Sequence, residues 1–556
     1  MQEVFVTELG KTVLAPDGWS YNAVRIFADK YLCEDDNDNI FAALSRVAGG
    51  VADGDEALAD RLYAGMVEQR YAFNSPVFFN VGVEYPPQCS ACFIQSVDDN
   101  MDSILELAVK EGKLFQFGSG TGTNLSSLRS CKEGITGGGT ASGPVSFMKV
   151  YDAVAGIVKS GGKTRRAAKM QILDVDHPDI LEFVQCKAHE EQKARDLITK
   201  AGYDSSFNGE AYSSIFFQNA NLSVRVTDDF MAAVENGDDW GLTARTTGLT
   251  IDMVDAPTLW RAIAQAAWEC GDPGLQFHDT INEWHTCPVD GEIVASNPCS
   301  EYMFLNETAC NLASLNLIKY VDENGEFDIR AFQRDIHALV TAMDNIIDIA
   351  GYPSEAIAHG SHEYRTIGLG FTNLGALLMM KGLRYDTPEA REYAAAITAL
   401  MHFTALRSSA LLAERRGSYP AYGRNSAAHL AVYGKHVAAL RELSPSNPLV
   451  HEALRCVEDL DYSAHQFGFR NAQVTVLAPT GTISFIMDAL TTGIEPAFAR
   501  CTTKKLVGGG TITIDLDHCL DIPSYAVITA DEVTPWQHVM MMAACQPFLS
   551  GAISKT

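Results

Sequence analysis

The sequence predicts an α/β protein with a mainly parallel sheet or barrel, preceded by a helical segment. Strand-like and helix-like stretches alternate over several hundred residues after Tyr71, which is typical of repeated strand–helix–strand units. Apolar residues make up 47% of the 556 residues and charged residues 20%, enough for a large core. Before Tyr71, apolar residues recur at helical spacing in Tyr21–Tyr31 and Asp55–Tyr71. We therefore divide the chain into a helical segment, 1–70, and an α/β domain, 71–556.

Turn signals place the first elements of the α/β domain. Tyr71 to Asn80 is expected to be a short buried strand interrupted by a turn at Ser75-Pro76. Ser142-Gly-Pro144 opens a helix that Gly161-Gly162 ends. Met170–Val175 is then expected to be a strand.

Later elements follow the same alternation. A helix is expected from Ile180, and a further strand–turn–helix unit spans Val474 to Ser484. Val539–Ala544 is expected to lie in a helix, after which the chain stops at Thr556 without a polar tail. Because domains usually finish with a docked element or a frayed polar end, we expect that the C-terminal end of this domain is missing.

The charge of the chain excludes several classes of function. Lys and Arg number 42 and Asp and Glu 70, which gives a net charge of −28. Such a surface repels nucleic-acid backbones and anionic membranes. No apolar run reaches the roughly 18–20 residues of a membrane span, and the N-terminus resembles neither a signal nor a transit peptide. We expect a cytoplasmic protein that binds neither a nucleic-acid polymer nor a membrane.

The chain contains thirteen cysteines. In a large protein without a secretory signal these are expected to be reduced thiols, with redox chemistry open to a few of them. Only Cys89 and Cys92 form a C-x-x-C pair, and no second pair completes a structural zinc site. We therefore predict no metal site.

Three glycine-containing segments are candidates for binding an anion. Phe117–Asn124 is either a close backbone approach to a ligand or a tight turn, and it departs from the dinucleotide fingerprint. Ala478–Ser484 would direct NH and hydroxyl donors at a phosphate, or merely cap a helix; it lacks the lysine of a P-loop. Ser160–Lys169 places four cations in a loop that either contacts a nucleotide or is simply solvated.

An amide, a thiol and a carboxylate stand at alternate positions in Asn297-Pro-Cys-Ser-Glu301. Because proline fixes a turn, the three side chains are expected to point into one pocket. The amide and carboxylate would then hold the hydroxyls of a polyol while the thiol reacts. The alternative is a buried structural cysteine beside a capping glutamate.

In combination, these segments resemble ribonucleotide reductases, most closely the adenosylcobalamin-dependent class II large chain. Asn297–Glu301 followed by Thr308–Asn316 carries the resemblance, with five supporting segments: Asn74-Ser-Pro-Val77, Ser90-Ala-Cys-Phe93, Gly118-Ser-Gly-Thr-Gly122, Phe277–Pro288 and Ala478–Ser484. The resemblance runs from about Tyr71 to Thr556 in the family's order, and this set of motifs is highly specific.

The resemblance implies a ten-stranded α/β barrel made of two five-stranded parallel halves, with an internal finger loop that presents a radical cysteine. It implies an oxidoreductase that converts ribonucleoside diphosphates to 2′-deoxyribonucleotides by thiyl-radical chemistry, with adenosylcobalamin (coenzyme B12) generating the first radical. The family continues beyond a segment like Ser554-Lys-Thr556 into further strands and a cysteine pair. We therefore expect a truncated chain, or a split enzyme completed by a second polypeptide.

By motif position, the resemblance implies roles for five catalytic residues. Cys299 would become a thiyl radical and take the 3′-hydrogen of the ribose. Glu301 would act as base at the 3′-hydroxyl, and Asn297 would orient the sugar hydroxyls. Cys92 and Cys310 would supply two electrons and end as a disulfide, which a thioredoxin-like or other dithiol reductant would reduce again.

The substrate-binding residues implied by the resemblance lie in the same motifs. They are Ser75, Ala91, Ser119, Gly120, Pro298, Ser300, Ala478, Pro479, Thr480, Gly481 and Thr482.

The resemblance also implies a homodimer regulated by a dNTP effector at its interface. Asp99 and Arg129 match effector-binding positions, although Asp99 is equally suited to cap a helix. Gly161–Met170, with Lys163, Arg165 and Arg166, would be the loop that communicates with the substrate base.

Two other functions stay open. A class I large subunit would receive its radical from a separate subunit through a tyrosine relay. The Asn-Pro-Cys-Ser-Glu sequence favours class II. A non-catalytic nucleotide-binding regulator would have a reductase-like but inactive barrel, which the intact cysteines, Asn297 and Glu301 argue against. Both diphosphate and triphosphate substrates are compatible with the sequence.

Overall fold

The computed structural model describes residues 1–83, 85–158, 168–206, 209–505, 511–516 and 522–556. The chain begins with an antiparallel hairpin of two strands, β1 (Gln2–Val6) and β2 (Lys11–Ala15). Three helices follow: α1 (Tyr21–Lys30), α2 (Ile40–Val51) and α3 (Glu56–Val67). The helical spacing seen in the sequence corresponds to α1 and α3. The hairpin was not predicted, because strands of five residues are too short to show a clear period of two.

The remaining strands are β3 (Tyr71–Phe73), β4 (Cys92–Gln95), β5 (Gly120–Asn124), β6 (Lys169–Asp174), β7 (Ala220–Val226), β8 (Asp239–Thr243), β9 (Thr250–Asp255), β10 (Gly274–Phe277), β11 (Ala295–Ser296), β12 (Met303–Phe304), β13 (Thr308–Asn316), β14 (Ile367–Thr372), β15 (Cys501–Lys505) and β16 (Thr511–Asp515). The remaining helices are α4 (Ser75–Asn80), α5 (Met101–Gln116), α6 (Gly143–Ile157), α7 (Ile180–Ala201), α8 (Glu210–Ser213), α9 (Asp228–Asn236), α10 (Ala256–Cys270), α11 (His278–Glu283), α12 (Ile329–Ile349), α13 (Glu355–Tyr364), α14 (Leu374–Met380), α15 (Pro388–Arg416), α16 (Tyr422–Glu442), α17 (Pro448–Phe467), α18 (Gly481–Ile486) and α19 (Pro535–Cys545).

The central sheet consists of two parallel halves that meet at an antiparallel seam. Its strand order is β10-β7-β6-β5-β4-β13-β14, and all neighbours from β10 to β4 are parallel. Strands β4 and β13 pair antiparallel, and β13 and β14 are again parallel. Parallel bridges from Leu369 to Thr475 and from Leu477 to Ile553 extend the second half. The predicted α/β architecture of parallel half-barrels is therefore confirmed.

Helix α15 lies at the centre of the helical layer on the second half of the sheet. It packs against α12, α17 and α19. Its composition and its length of 29 residues would allow it to cross a membrane, but 89% of its most apolar stretch is buried inside the protein. A helix enclosed by protein on all sides needs no polar face, which explains its composition.

Several predicted elements are confirmed, and two are corrected. The strand at Met170 is β6, the helices after Pro144 and from Ile180 are α6 and α7, and Val539–Ala544 lies in α19. The pair Gly161-Gly162 lies outside the described residues. Only Tyr71–Phe73 of the stretch to Asn80 is a strand. The rest forms α4, because Pro76 fits the first turn of a helix, where no NH is needed.

The second correction concerns residues 474–484. The expected strand is an extended segment held by isolated bridges, in which Thr475 and Leu477 each contact a different neighbour. The helix that follows, α18, is only six residues long. The order strand–turn–helix is right, and only the regular strand pairing is missing.

Candidate active site

A finger loop formed by residues 297–302 connects the two-stranded hairpin of β11 and β12. The hairpin packs against β5, where two glycines make room for it. A Cβ added to Gly122 would overlap the Ser296 carbonyl, and one added to Gly120 would lie 2.7 Å from Pro298 Cγ. The glycine segment that the sequence left open as a tight turn is therefore a central strand, whose missing side chains permit close approach of the loop.

The tip of the finger loop is a tight turn. The NH of Ser300 donates to the Asn297 carbonyl over 3.1 Å, and Ser300 has a left-handed φ of 62°. Asn297, Cys299 and Glu301 all line one cavity of about 280 Å³. The convergence expected for these three side chains is observed. It arises from a turn and not from the alternation of an extended strand.

The cavity collects residues from elements far apart in the chain. Its lining residues are Asn74, Ser75, Ala91, Cys92, Gly120, Ala168, Asn297, Pro298, Cys299, Glu301, Leu312, Ser314, Ala478, Pro479, Thr480, Gly481, Thr482 and Ile483. The finger loop provides one wall, the ends of β4 and β5 another, and the loop before α18 a third.

Cys92 and Cys310 stand directly opposite each other across the β4–β13 seam. Opposed residues of antiparallel strands have Cα atoms about 4.5–5.5 Å apart, inside the range of about 4.4–6.8 Å that a disulfide spans. Both residues are buried thiols. Gly368 on β14 leaves space beside this pair, since a Cβ there would lie 3.1 Å from Cys310 Sγ. The seam therefore holds two thiols in a position to be oxidised together.

Hydrogen bonds connect Cys92 to the finger loop. Asn297 Nδ2 donates to Cys92 Sγ over 3.0 Å, while Asn297 Oδ1 accepts from the NH of Tyr302 over 3.0 Å. Cys92 Sγ lies 3.7 Å from Glu301 Oε1. Burial, and then the neighbouring Glu301 carboxylate, raise the pKa of Cys92 well above its ordinary value. Cys92 is therefore a protonated thiol at neutral pH.

Glu301 is a buried carboxyl group with one unpartnered oxygen. Burial raises the pKa of Glu301, while hydrogen bonds from Asn297 and Cys92 act in the opposite direction. Its Oε2 atom has no hydrogen-bond partner. A buried polar atom is normally satisfied, so this oxygen at the cavity wall is available to accept a hydrogen bond from a ligand hydroxyl.

The loop before α18 supplies donors on the far wall. Thr480 has a left-handed φ of 53°, and its Oγ1 accepts from the NH of Gly493 over 2.8 Å. The first NH groups of a helix have no intrahelical acceptor, and here they belong to cavity residues Gly481, Thr482 and Ile483. These donors are suited to an anionic group.

Three predicted residues lie away from the cavity wall. Ser119 Oγ donates to the Ser90 carbonyl over 2.7 Å, which uses its hydroxyl inside the scaffold. Ser300 faces Ser296, and Cys310 lies behind Cys92 on the seam.

Five cavity residues were not predicted as site residues. Asn74, Ala168 and Ile483 lie within segments that the sequence singled out, while Leu312 and Ser314 lie on β13 at alternate positions after Cys310. Since alternate residues of a strand share a face, that spacing could have identified the latter two.

The predicted effector residues are brought together in part. Arg129 Nε lies 2.6 Å from Asp99 Oδ2, and the backbone NH of Arg129 also donates to Asp99. Asp99 does not cap α5, because Asn100 accepts the capping bond from Ser103. Lys163, Arg165 and Arg166 lie outside the described residues, with most of the loop 161–170.

Two parallel half-sheets surround a cysteine-bearing loop, and a pair of thiols lies on the seam between them; this is the architecture of a barrel enzyme with redox-active cysteines. This chain belongs to the ribonucleotide reductase family. Residues 90–525 match the model of the ribonucleotide reductase barrel domain, and residues 18–86 match that of the ribonucleotide reductase all-alpha domain.

Three curated relatives of this chain are named as vitamin B12-dependent reductases. The chain is 45% identical to a vitamin B12-dependent ribonucleotide reductase of Rhodopirellula baltica and 44% identical to one of Streptomyces clavuligerus. Each match covers 97% of this chain, which spans 61% and 62% of those proteins. A vitamin B12-dependent ribonucleoside-diphosphate reductase of Mycobacterium tuberculosis is 32% identical, over 97% of this chain and 75% of that protein.

Proposed function

We propose that this chain forms the nucleotide-reducing barrel of a vitamin B12-dependent ribonucleotide reductase that converts ribonucleoside diphosphates to 2′-deoxyribonucleotides. One observation carries the proposal: the Cys299 tip, the Cys92 thiol and the orphaned Glu301 oxygen share a single cavity. The names of the relatives support the substrate class and the cofactor. The acidic chain and its reduced thiols support a cytoplasmic location.

Residues of the cavity and of the seam behind it would each carry one part of the reaction. Cys299, as a thiyl radical, takes the 3′-hydrogen of the ribose, and Glu301 Oε2 accepts the proton of the 3′-hydroxyl. Asn297 holds Cys92 Sγ at 3.0 Å, on the side where the 2′-hydroxyl leaves as water. Cys92 and Cys310 give up two electrons and two protons and become a disulfide, so that one ribonucleotide and two thiols yield one deoxyribonucleotide, one water and one disulfide. Cys299 then returns the hydrogen atom to C3′, and a dithiol reductant restores the pair.

The cavity at the finger-loop tip has the size of one nucleotide. When bound, adenosylcobalamin would supply the initial radical by homolysis of its cobalt–carbon bond. A cavity of about 280 Å³ lies just below the roughly 300–1,000 Å³ typical of small-molecule sites, which suits one nucleotide. Cys299, at the loop tip, is the residue that would lie next to the adenosyl group, and no other residue is assigned to the cofactor.

We expect anaerobic conversion of CDP to dCDP by this chain with dithiothreitol, a dNTP effector and adenosylcobalamin, and none without the cobalamin. Product formation is measured by chromatography. A second preparation adds a polypeptide that covers the rest of the relatives' length. Turnover in that preparation alone would still identify the chain as part of a reductase. Absence of turnover in both preparations, with the cobalamin present, would contradict the proposal.

An apolar stripe on two packed helices supports the homodimer. Met101, Leu105 and Val109 follow one face of α5 at four-residue spacing and are 55%, 53% and 58% exposed. The neighbouring helix α6 adds Val150 and Ile157, which are 43% and 78% exposed. Contiguous exposed apolar residues of this kind mark an interaction surface, and a second copy of the same helix pair is self-complementary to it.

Leu105→Glu combined with Val109→Glu is expected to convert the dimer to a monomer, because two buried charges would face each other across the two-fold axis. Light scattering coupled to size exclusion measures the mass. Val289→Glu, which changes an exposed valine outside the stripe, is the matched control. A double variant that remains dimeric would place the interface elsewhere.

A further inference from the structure

The buried amide side chain of Gln276 contacts the strained tip of the finger loop. Ser300 is the only residue of the turn 297–300 with a left-handed φ, a conformation that residues with a side chain rarely adopt. Such backbone persists only where surrounding contacts fix it. Because Ser300 follows Cys299 directly, whatever fixes Ser300 also sets the direction of the Cys299 thiol.

Gln276, on β10, makes those contacts. Its Nε2 lies 2.8 Å from Ser296 Oγ and 3.4 Å from Ser300 Oγ. The two serine hydroxyls are 3.3 Å apart, and Ser296 Oγ also donates to the Asn297 carbonyl over 3.0 Å. Gln276 is 1% exposed, so water does not compete for these bonds.

Arg225, on β7, determines which way the Gln276 amide faces. Its Nη1 donates to Gln276 Oε1 over 3.1 Å, its Nε to His278 Nδ1 over 3.1 Å, and its Nη2 to the Ile293 carbonyl. A guanidinium only donates, so the amide oxygen of Gln276 must face Arg225 and the amide nitrogen must face the serines. Arg225 is 2% exposed, and in the described part of the chain its nearest opposite charges, Asp174, Glu292 and Asp279, act on it electrostatically without forming a contact ion pair.

Burying an arginine without a contact ion pair costs free energy, which its three donated hydrogen bonds and the nearby carboxylates offset. Burial lowers the pKa of Arg225 to about 10, and the side chain remains charged at neutral pH. Its three donated bonds all end on β10, α11 or the segment that enters the finger loop. The Arg225 side chain therefore orients the Gln276 amide, which contacts the finger loop.

We propose that Gln276, oriented by Arg225, is a positioning residue that holds Ser300 in its left-handed conformation and so aims the Cys299 thiol into the cavity. The proposal rests on the function proposed above and adds a requirement to it. Neither side chain lines the cavity, so the effect reaches the substrate through the finger loop that carries Cys299.

Gln276→Glu tests this arrangement. The glutamate keeps the size and strengthens the contact with Arg225, but a carboxylate has no hydrogen to donate to Ser296 and Ser300. We expect kcat to fall by ~10- to 100-fold, the scale of a misplaced reacting group, with KM for CDP within about twofold, as for a group that leaves ground-state binding unchanged. Gln265→Glu on exposed α10 makes the same charge change and is the matched control.

A second readout needs no turnover. Iodoacetamide alkylation of Cys299, followed by mass spectrometry of its peptide in protein without cofactor, should change in rate in Gln276→Glu. Cys501, exposed on its hairpin, should keep its rate. Adding Ser300→Gly to Gln276→Glu should restore part of kcat, because glycine adopts a positive φ without support.

The outcomes separate this proposal from the proposed function. Unchanged kcat and unchanged Cys299 alkylation in Gln276→Glu, in a protein that reduces CDP, would overturn the role of Gln276. Failure of the unmodified protein to reduce CDP, together with no protection of Cys299 by CDP, would overturn the proposed function. A change in Cys299 alkylation in Gln276→Glu would still support the positioning role in that case.

Discussion

Cys299→Ser is expected to lower CDP reduction by ~10⁴-fold or more, the scale on which loss of an essential reacting group is measured. The hydroxyl is nearly the same size as the thiol, but its O–H bond is much stronger than S–H, so a serine cannot take up the radical. Because the side chain is partly exposed at the tip of the loop, the fold should be unaffected. The measurement is an anaerobic assay of dCDP formation under saturating effector and cobalamin.

Binding separates loss of chemistry from loss of the site. CDP affinity of Cys299→Ser, measured by calorimetry, should stay within about twofold of the unmodified protein, as for a group that acts only in the transition state. Cys501→Ser, the same substitution at an exposed cysteine, should retain full turnover. Turnover that survives in Cys299→Ser would show that another residue reacts. A protein that binds CDP but reduces none, with Cys299 intact, would be the non-catalytic regulator.

Glu111→Leu is expected to lower the free energy of unfolding by ~3–5 kcal/mol, because it leaves a buried charge without its partner. Glu111 on α5 forms an ion pair with Lys169 at the start of β6, and both side chains are 0% exposed. Lys169 Nζ also lies 4.2 Å from the centre of the Tyr151 ring on α6. Burial raises the pKa of Glu111 and lowers that of Lys169, so desolvation opposes the charge on both partners.

A double-mutant cycle tests whether the two charges depend on each other. Lys169→Met alone should destabilise the protein as much as Glu111→Leu, whereas the double variant should recover most of the loss, since two apolar side chains replace a buried pair well. Urea unfolding followed by circular dichroism measures each free energy. Arg455→Met, which breaks an exposed pair with Glu452, should leave stability unchanged. Additive effects of the two buried substitutions would show that the pair is not coupled.

The α/β class and the finger-loop residues could be predicted because their signals are local. The alternation of strands and helices can be recognised from the sequence without knowledge of the tertiary contacts. Asn297-Pro-Cys-Ser-Glu301 places its three polar side chains within one turn. The pairing of Cys92 with Cys310 is not a local property. Spacing along the chain gave no register for it, and only the family resemblance suggested that the two thiols meet.

Other features depended on contacts that the sequence does not display. Phe117–Asn124 offered glycines suited to a turn, yet Gly122 lies in a central strand because the finger loop occupies the space of its side chain. Ser119 and Ser300 stand in motifs that suggest ligand contact, and both turn toward the scaffold. The motifs therefore identified the right region of the fold, and side-chain packing determines which of their hydroxyls can contact a ligand.

In the proposed reaction, a disulfide across the antiparallel seam would change the covalent connectivity of the polypeptide. Cys92 and Cys310 are 310 − 92 = 218 positions apart, and β5, β6, β7 and β10 lie between them. When the two thiols join, the whole first half of the sheet becomes a closed ring, with the second half attached outside it. Cyclising a segment of that length restricts the unfolded chain by about 5 kcal/mol in the chain-entropy description. The oxidised protein, before its disulfide is reduced, would thus resist unfolding better than the reduced protein that binds substrate. Each turnover would close and reopen this covalent loop.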